Sequence, residues 1–167
     1  MKTRVLFLSV GVAIALTGCG QKGPASNAQP ESTASAAAAQ GSGRTIEITA
    51  NDQMKFNVTA ITAKPGEELR VVLNNIGTVP KEAMGHNWVL LKAGTDPLAF
   101  GAAAAGAREH NYIPQNLQDQ VLAKIDLLGP KQKGEVSFKA PEQPGDYPFV
   151  CTFPGHAALM KGVLTVK

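Results

Sequence analysis

The chain has 167 residues, 44% hydrophobic and 17% charged, with a formal net charge of +3. The positive surplus belongs to the first 44 residues, because the stretch from Thr45 onward carries 12 Lys and Arg against 12 Asp and Glu; charge therefore makes no case for nucleic-acid binding. Two cysteines and three histidines exclude a disulfide-built scaffold and a large metal cluster.

Lys2 and Arg4 precede an apolar run over 5–16 that Ser9 and Gly11 interrupt. A membrane-crossing helix needs about 20 apolar residues, so residues 1–18 are expected to be an export signal. The signal ends Leu16-Thr17-Gly18-Cys19, which resembles the bacterial lipobox. That resemblance implies a lipoprotein signal peptide and a lipidated Cys19 as the first residue after cleavage. Several acyl chains on one residue are what stable anchoring requires. Residues 19–44 then comprise Cys19 and a tether rich in Ala, Ser, Pro and Gly. Over 20–43 there is no aromatic or branched aliphatic residue. Such a stretch cannot bury enough apolar surface to offset its ordering entropy, and it is expected to be disordered. As a flexible coil it reaches on the order of 25–30 Å.

From Thr45 to Lys167 the pattern changes to one folded domain. Ile46 and Ile48 alternate with polar residues, as in a half-buried strand, and Phe56 and Val58 continue the pattern after a turn at Asn51-Asp52. Ala60–Ala63 is a short strand stopped by Lys64-Pro65-Gly66. Further strands are predicted at 69–73, 88–91, Val121–Leu128, around Val136 and Phe138, at 147–152 and at 163–166. About eight short strands with turn chemistry between them predict an all-β sandwich or barrel. Asp96 before Pro97 is an N-cap followed by proline at the first helical position, so a short helix is predicted at 97–109, weakened by Gly101 and Gly106.

Two runs carry chemistry. One is Met84-Gly85-His86-Asn87-Trp88-Val89-Leu90; the other is Cys151-Thr152-Phe153-Pro154-Gly155-His156-Ala157-Ala158-Leu159-Met160. The second gathers a thiol, an imidazole and a thioether in ten residues, and the first supplies another imidazole. Two His and one Cys with a distant Met are the donor set of an electron-transfer copper site. Zinc would accept the same donors, but structural zinc sites prefer four strong ligands. Pro154-Gly155 lets the chain reverse, so one hairpin-like loop can face a histidine from another strand end. His110 is read as a surface residue, and Trp88 and Phe138 as core.

These runs, together with Asn51-Asp52-Gln53-Met54 and Leu159-Met160-Lys161-Gly162, closely resemble the azurins, a family of cupredoxins. The resemblance spans 45–167. Plastocyanin-type loops place the histidine closer to the cysteine, and auracyanins, which share the His-Asn-Trp run, usually have one more residue before the methionine. The anchor and tether resemble those of lipid-modified azurins. The resemblance implies a Greek-key cupredoxin sandwich holding one copper ion. It implies His86, Cys151 and His156 as equatorial ligands, Met160 as the distant axial ligand, and the backbone carbonyl of Gly85 on the opposite side. Asn87 would tie the two ligand loops together, and the backbone N–H of Asn87 or Phe153 would point at the sulfur and tune the potential. Azurins usually carry a disulfide near the start of the domain. Here Cys19 is assigned to lipidation and Cys151 to the metal, so none is available.

A site with all its side-chain ligands committed leaves no position for substrate, which points away from an enzyme. The expected function is a membrane-anchored type 1 (blue) copper protein that passes single electrons between redox proteins. The alternatives are a copper storage or delivery protein, and one domain of an oxidase or reductase. Met54, Val79, Ala83, Met84, Phe153, Pro154, Ala158 and Leu159 are expected to form an apolar docking patch near His156, with Lys81 and Lys161 at its rim. The resemblance implies c-type cytochromes and a copper nitrite reductase or cytochrome peroxidase as partners. It also implies export and lipid anchoring to a bacterial membrane, the outer membrane in lipid-modified azurins, with the domain facing the periplasm or the cell surface.

Overall fold

A computed structural model describes residues 43–167. The expected export signal, the expected lipidation at Cys19 and the expected tether up to residue 42 lie outside the described residues. Arg44, read above as the last tether residue, already begins the first strand. Its guanidinium bonds Glu67 at 2.7 Å and the carbonyl of Thr62 at 2.5 Å, which ties the start of the domain down.

The described residues form nine strands in two sheets. The first sheet holds β1 (Arg44–Asn51), β2 (Lys55–Phe56), β4 (Glu68–Asn75) and β7 (Lys133–Lys139) in the order β2-β1-β4-β7. The second holds β3 (Ala60–Ala63), β5 (His86–Leu91), β6 (Val121–Leu128), β8 (Gly145–Val150) and β9 (Lys161–Val166) in the order β3-β9-β8-β5-β6. β1 with β4 and β3 with β9 are parallel pairs, and the other pairings are antiparallel. The chain crosses repeatedly between sheets, so both contribute to one core. This is the β-sandwich predicted from the sequence, with one strand more than expected. The extra element is the two-residue β2; Val58 lies beyond it, half-buried.

Ile46, Ile48, Leu69, Val71, Leu73, Trp88, Leu90, Phe149 and Leu164 meet between the sheets. β5 is buried along its whole length. Trp88 and Leu90 face the sandwich interior, while Val89 and Leu91 face a second cluster with Phe100, Ile113, Val150 and Ala157. Burial on both faces explains a strand that reads as a continuous apolar run rather than an alternation.

The second cluster is covered by helix α2 (Pro97–Ala104), whose Asp96 side chain caps the N–H of Leu98 at 2.8 Å. The helix is shorter than the predicted 97–109: it ends before Gly106, and Arg108–His110 is a separate 3-10 turn. Gly101 survives inside α2 because a Cβ there would lie 2.3 Å from the Cβ of Ala157. A short helix not expected from the sequence, α1 (Lys81–Met84), precedes β5. Among the described residues no helix is long and apolar enough to cross a membrane.

Candidate metal centre

The pairing of β5 with β8 builds one side of the site. Val89 lies opposite Val150 and Leu90 opposite Phe149. Continuing that register sets Asn87 opposite Thr152, so His86 at the start of β5 and Cys151 just past β8 come together at one end of the second sheet. The chain enters β5 through Gly85, where a Cβ would lie 2.7 Å from the carbonyl oxygen of Lys81 and 2.9 Å from Leu127.

The loop from Cys151 to Met160 is closed at its base and folded tightly within. The N–H of Cys151 donates to the carbonyl of Met160 at 2.9 Å. Gly155 has φ +82°, the left-handed region in which glycine is strongly favoured, and it turns the chain into a 3-10 turn over His156–Ala158. His156 accepts at its carbonyl from the N–H groups of Leu159 and Met160. The loop therefore presents Cys151, His156 and Met160 from a single closed turn, and all three side chains are buried.

One ligating atom each from His86, Cys151 and His156 lies within 4.8 Å of the others. The Cys151 Sγ is 3.5 Å from Nδ1 of His156, and the two imidazole centroids are 5.1 Å apart. Burial dominates their electrostatics. It lowers the His86 and His156 pKa values, His156 to about 4 with the neighbouring His86 adding to the effect. It pushes the Cys151 thiol up to about 11, against the opposing pull of the Asn87 and Phe153 backbone N–H groups on the sulfur. The carbonyl of Asn51 and the carboxylate of Asp52 favour a charged His86 ring. Neither bonds it within hydrogen-bonding geometry, and both ring nitrogens are buried without a partner.

A buried imidazole with no partner is costly, and a metal ion bound at one nitrogen would supply a partner there. Neutral imidazoles and a thiol that becomes a thiolate are the protonation states metal binding requires. The donor set is two borderline nitrogens and one soft sulfur, with a thioether in the same loop and no carboxylate among the clustered groups. It fits copper.

Asn87 joins the two ligand-bearing segments. Its side-chain oxygen accepts from the N–H of Thr152 at 2.8 Å, and its amide donates to Oγ1 of Thr152 at 2.7 Å and to the carbonyl of Asn111 at 3.2 Å. Thr152 and the 111–112 segment were not singled out from the sequence. The register of β5 against β8 brings in Thr152, but nothing local signals Asn111. Asp52 was also missed as a group acting on this region. It accepts from the N–H and hydroxyl of Thr78 at 2.8 and 2.9 Å and clasps the segment leading to α1 against the turn between β1 and β2.

Of the expected docking residues, Leu159 is 62% exposed, Ala83 and Ala158 are exposed, and Met54, Val79, Met84 and Pro154 are half-buried. Phe153 is buried, its ring 4.7 Å from His156 and edge-on to Tyr112, so it belongs to the wall of the site more than to its outer surface. His110 is exposed and bonds Gln115.

Residues 43–167 match the family model of copper-binding proteins described as the plastocyanin/azurin family. The chain belongs to this family. Among its relatives is the azurin of Pseudomonas aeruginosa, 39% identical over 125 residues, covering 73% of this chain and 84% of the relative. The azurin of Bordetella pertussis is 35% identical over 122 residues, covering 71% and 81%. A solved structure of reduced auracyanin from Roseiflexus castenholzii is similar with a TM-score of 0.64 and 31% identity, covering 74% of this chain and 96% of that one. Within this family of cupredoxins, His86, Cys151 and His156, with Met160 from the same loop, make the pattern of a type 1 copper site. Cys151 is a free thiol among the described residues.

Proposed function

We propose that this cupredoxin is a membrane-anchored blue copper protein that carries single electrons between redox proteins. The observation that carries the reading is a His86, Cys151 and His156 cluster in which all three residues are buried. Bound copper supplies the one-electron Cu(II)/Cu(I) couple. The residues supply the rest: His86, Cys151 and His156 would hold the ion, with Met160 and the carbonyl of Gly85 as the further donors. Closed hydrogen bonding at Cys151, Asn87 and Met160 keeps these groups in place through a change of charge. Burial excludes water and leaves no room for a substrate, so an electron carrier fits better than an enzyme.

His156 is the exit. Ala158 and Leu159, two and three residues after it, are exposed, and with Ala83, Met84, Val79, Met54 and Pro154 they offer an apolar surface. Weak contacts of modest area suit a partner that must leave quickly. With the domain's charges balanced, long-range steering adds little. A c-type cytochrome, a copper nitrite reductase or a cytochrome peroxidase is the partner class proposed. Cys19 would carry the lipid that holds the domain to a bacterial membrane, the outer one by analogy with lipid-modified azurins.

The test is stopped-flow oxidation of the reduced protein by a c-type cytochrome, beside a Met84→Glu variant. The expected result is fast single-electron exchange, slowed at least tenfold by the glutamate while the reduction potential stays put. Copper-loaded protein that exchanges no electron, or turns over oxygen or nitrite without a partner protein, contradicts the reading.

A further inference from the structure

Two residues in sequence, Asn111 and Tyr112, hold left-handed backbone angles, φ 53° and 58°. Asparagine tolerates that region, but an aromatic residue there is an outlier. Outliers of this kind persist where the surroundings over-determine them, and they collect at functional sites. The segment is pinned by its own backbone bonds, from Asn111 N–H to Arg108, Tyr112 N–H to Ala107 and Ile113 N–H to His110.

The pair touches the metal centre at two residues. The carbonyl of Asn111 accepts from the side-chain amide of Asn87 at 3.2 Å. The ring of Tyr112, 7% exposed, meets Phe153 edge-to-face with centroids 5.2 Å apart. Asn87 is bonded to Thr152, the neighbour of Cys151, and the Phe153 ring lies 4.7 Å from that of His156; the backbone N–H of each favours a thiolate at Cys151. The left-handed pair therefore touches both residues whose N–H groups favour the thiolate, and touches them from one turn.

We infer that Asn111 and Tyr112 are positioning residues that set the two N–H donors at the Cys151 sulfur, and through them the reduction potential. The inference rests on the proposed copper site and deepens it. Hydrogen bonds to the thiolate draw electron density from sulfur and weaken its donation to the oxidised ion. Fixing both donors favours the reduced form, so loosening them lowers the potential. Left-handed angles at two successive side-chain-bearing residues give the carbonyl of 111 and the ring of 112 their divergent directions, one to each donor residue.

The experiment compares the wild type with Tyr112→Phe and Tyr112→Leu. Tyr112→Met is carried alongside and read by the same criterion if the leucine protein does not fold. Reduction potentials are measured on copper-loaded protein, and the Asn87 and Phe153 amide proton shifts on protein loaded with zinc, which is redox-silent. Tyr112→Phe keeps the ring and is expected to match the wild type in both. The ring-less variant is expected to move the Phe153 amide resonance and to shift the one-electron equilibrium about tenfold toward the oxidised form, about 59 mV downward. A folded ring-less variant with wild-type potential and wild-type amide shifts overturns the inference. So does a phenylalanine variant shifted as far as the ring-less one. A wild type that takes up copper but shows no one-electron couple contradicts the proposed function instead, whatever the variants do.

Discussion

At the scale of single residues, burial decides the protonation states. The Cys151 thiol, pushed up to about 11, keeps its proton at neutral pH, while His156, lowered to about 4, and His86, also lowered, are already neutral. Binding a metal ion near pH 7 then displaces one proton, from the thiol alone. Deprotonated ligands bind, so affinity rises with pH, about tenfold per unit above the histidine range and below about 11, and falls more steeply once His156 begins to protonate near pH 4. Zinc titrations of the apoprotein in buffers of different ionisation enthalpy read this stoichiometry. One proton released per ion is expected; release of none, or of two or three, contradicts these protonation states.

The ligands themselves were legible because their spacing is local. Cys151, His156 and Met160 fall within ten residues, and Pro154-Gly155 announces the turn between them. The residues that steady them were not legible. Thr152 is found through the alignment of β5 with β8, which the sequence does not print. Tyr112 carries no sign of its left-handed backbone, since glycine and asparagine are the usual markers of that region.

At the scale of elements, the strands with one exposed face were visible as alternation, as in β1 and β7. β5 was visible as an apolar run, but not as a strand sandwiched between the main core and α2. The helix prediction overran because alanines past Ala104 read as helix formers, whereas the chain tightens at Gly106 into a 3-10 turn. Gly101 looked like a weakness in the helix and proves to be the point where α2 touches the turn that bears His156. The joint between β5 and the Cys151 loop is Asn87. Asn87→Ala removes its bonds to Thr152 and Asn111 and leaves a buried N–H without an acceptor. It is expected to cost about 3 kcal/mol, measured as urea unfolding of the apoprotein. A loss under about 0.5 kcal/mol, the size of an ordinary surface substitution, would show that the two segments hold together without it.

At the scale of the whole molecule, the sandwich encloses one tryptophan. Trp88 is fully buried between Phe138 and Phe149, and its indole N–H has no hydrogen-bond partner. An indole with no polar partner in a rigid apolar interior should emit far to the blue of indole in water, with the red-shifted emission returning on unfolding. Fluorescence of the metal-free protein checks this; emission at the position of solvated indole would mean that water reaches the core. Nine strands closing on one interior leave the metal cluster at one end of the sandwich, where β5 begins and β8 ends, beside exposed Ala158 and Leu159. The expected export signal, Cys19 anchor and tether rest on composition and motif alone and lie outside the described residues; the proposed anchor at Cys19 would place the carrier at a membrane surface.

The central claim is that the sulfur of Cys151 and the imidazoles of His86 and His156 bind one copper ion together. The visible absorption spectrum of the copper(II)-loaded protein, beside that of Cys151→Ser, tests it most directly. An intense thiolate-to-copper band in the red part of the visible is predicted for the wild type, absent from the serine variant. A folded wild type with one copper bound and only weak absorption there, or a serine variant that keeps the band, would contradict it.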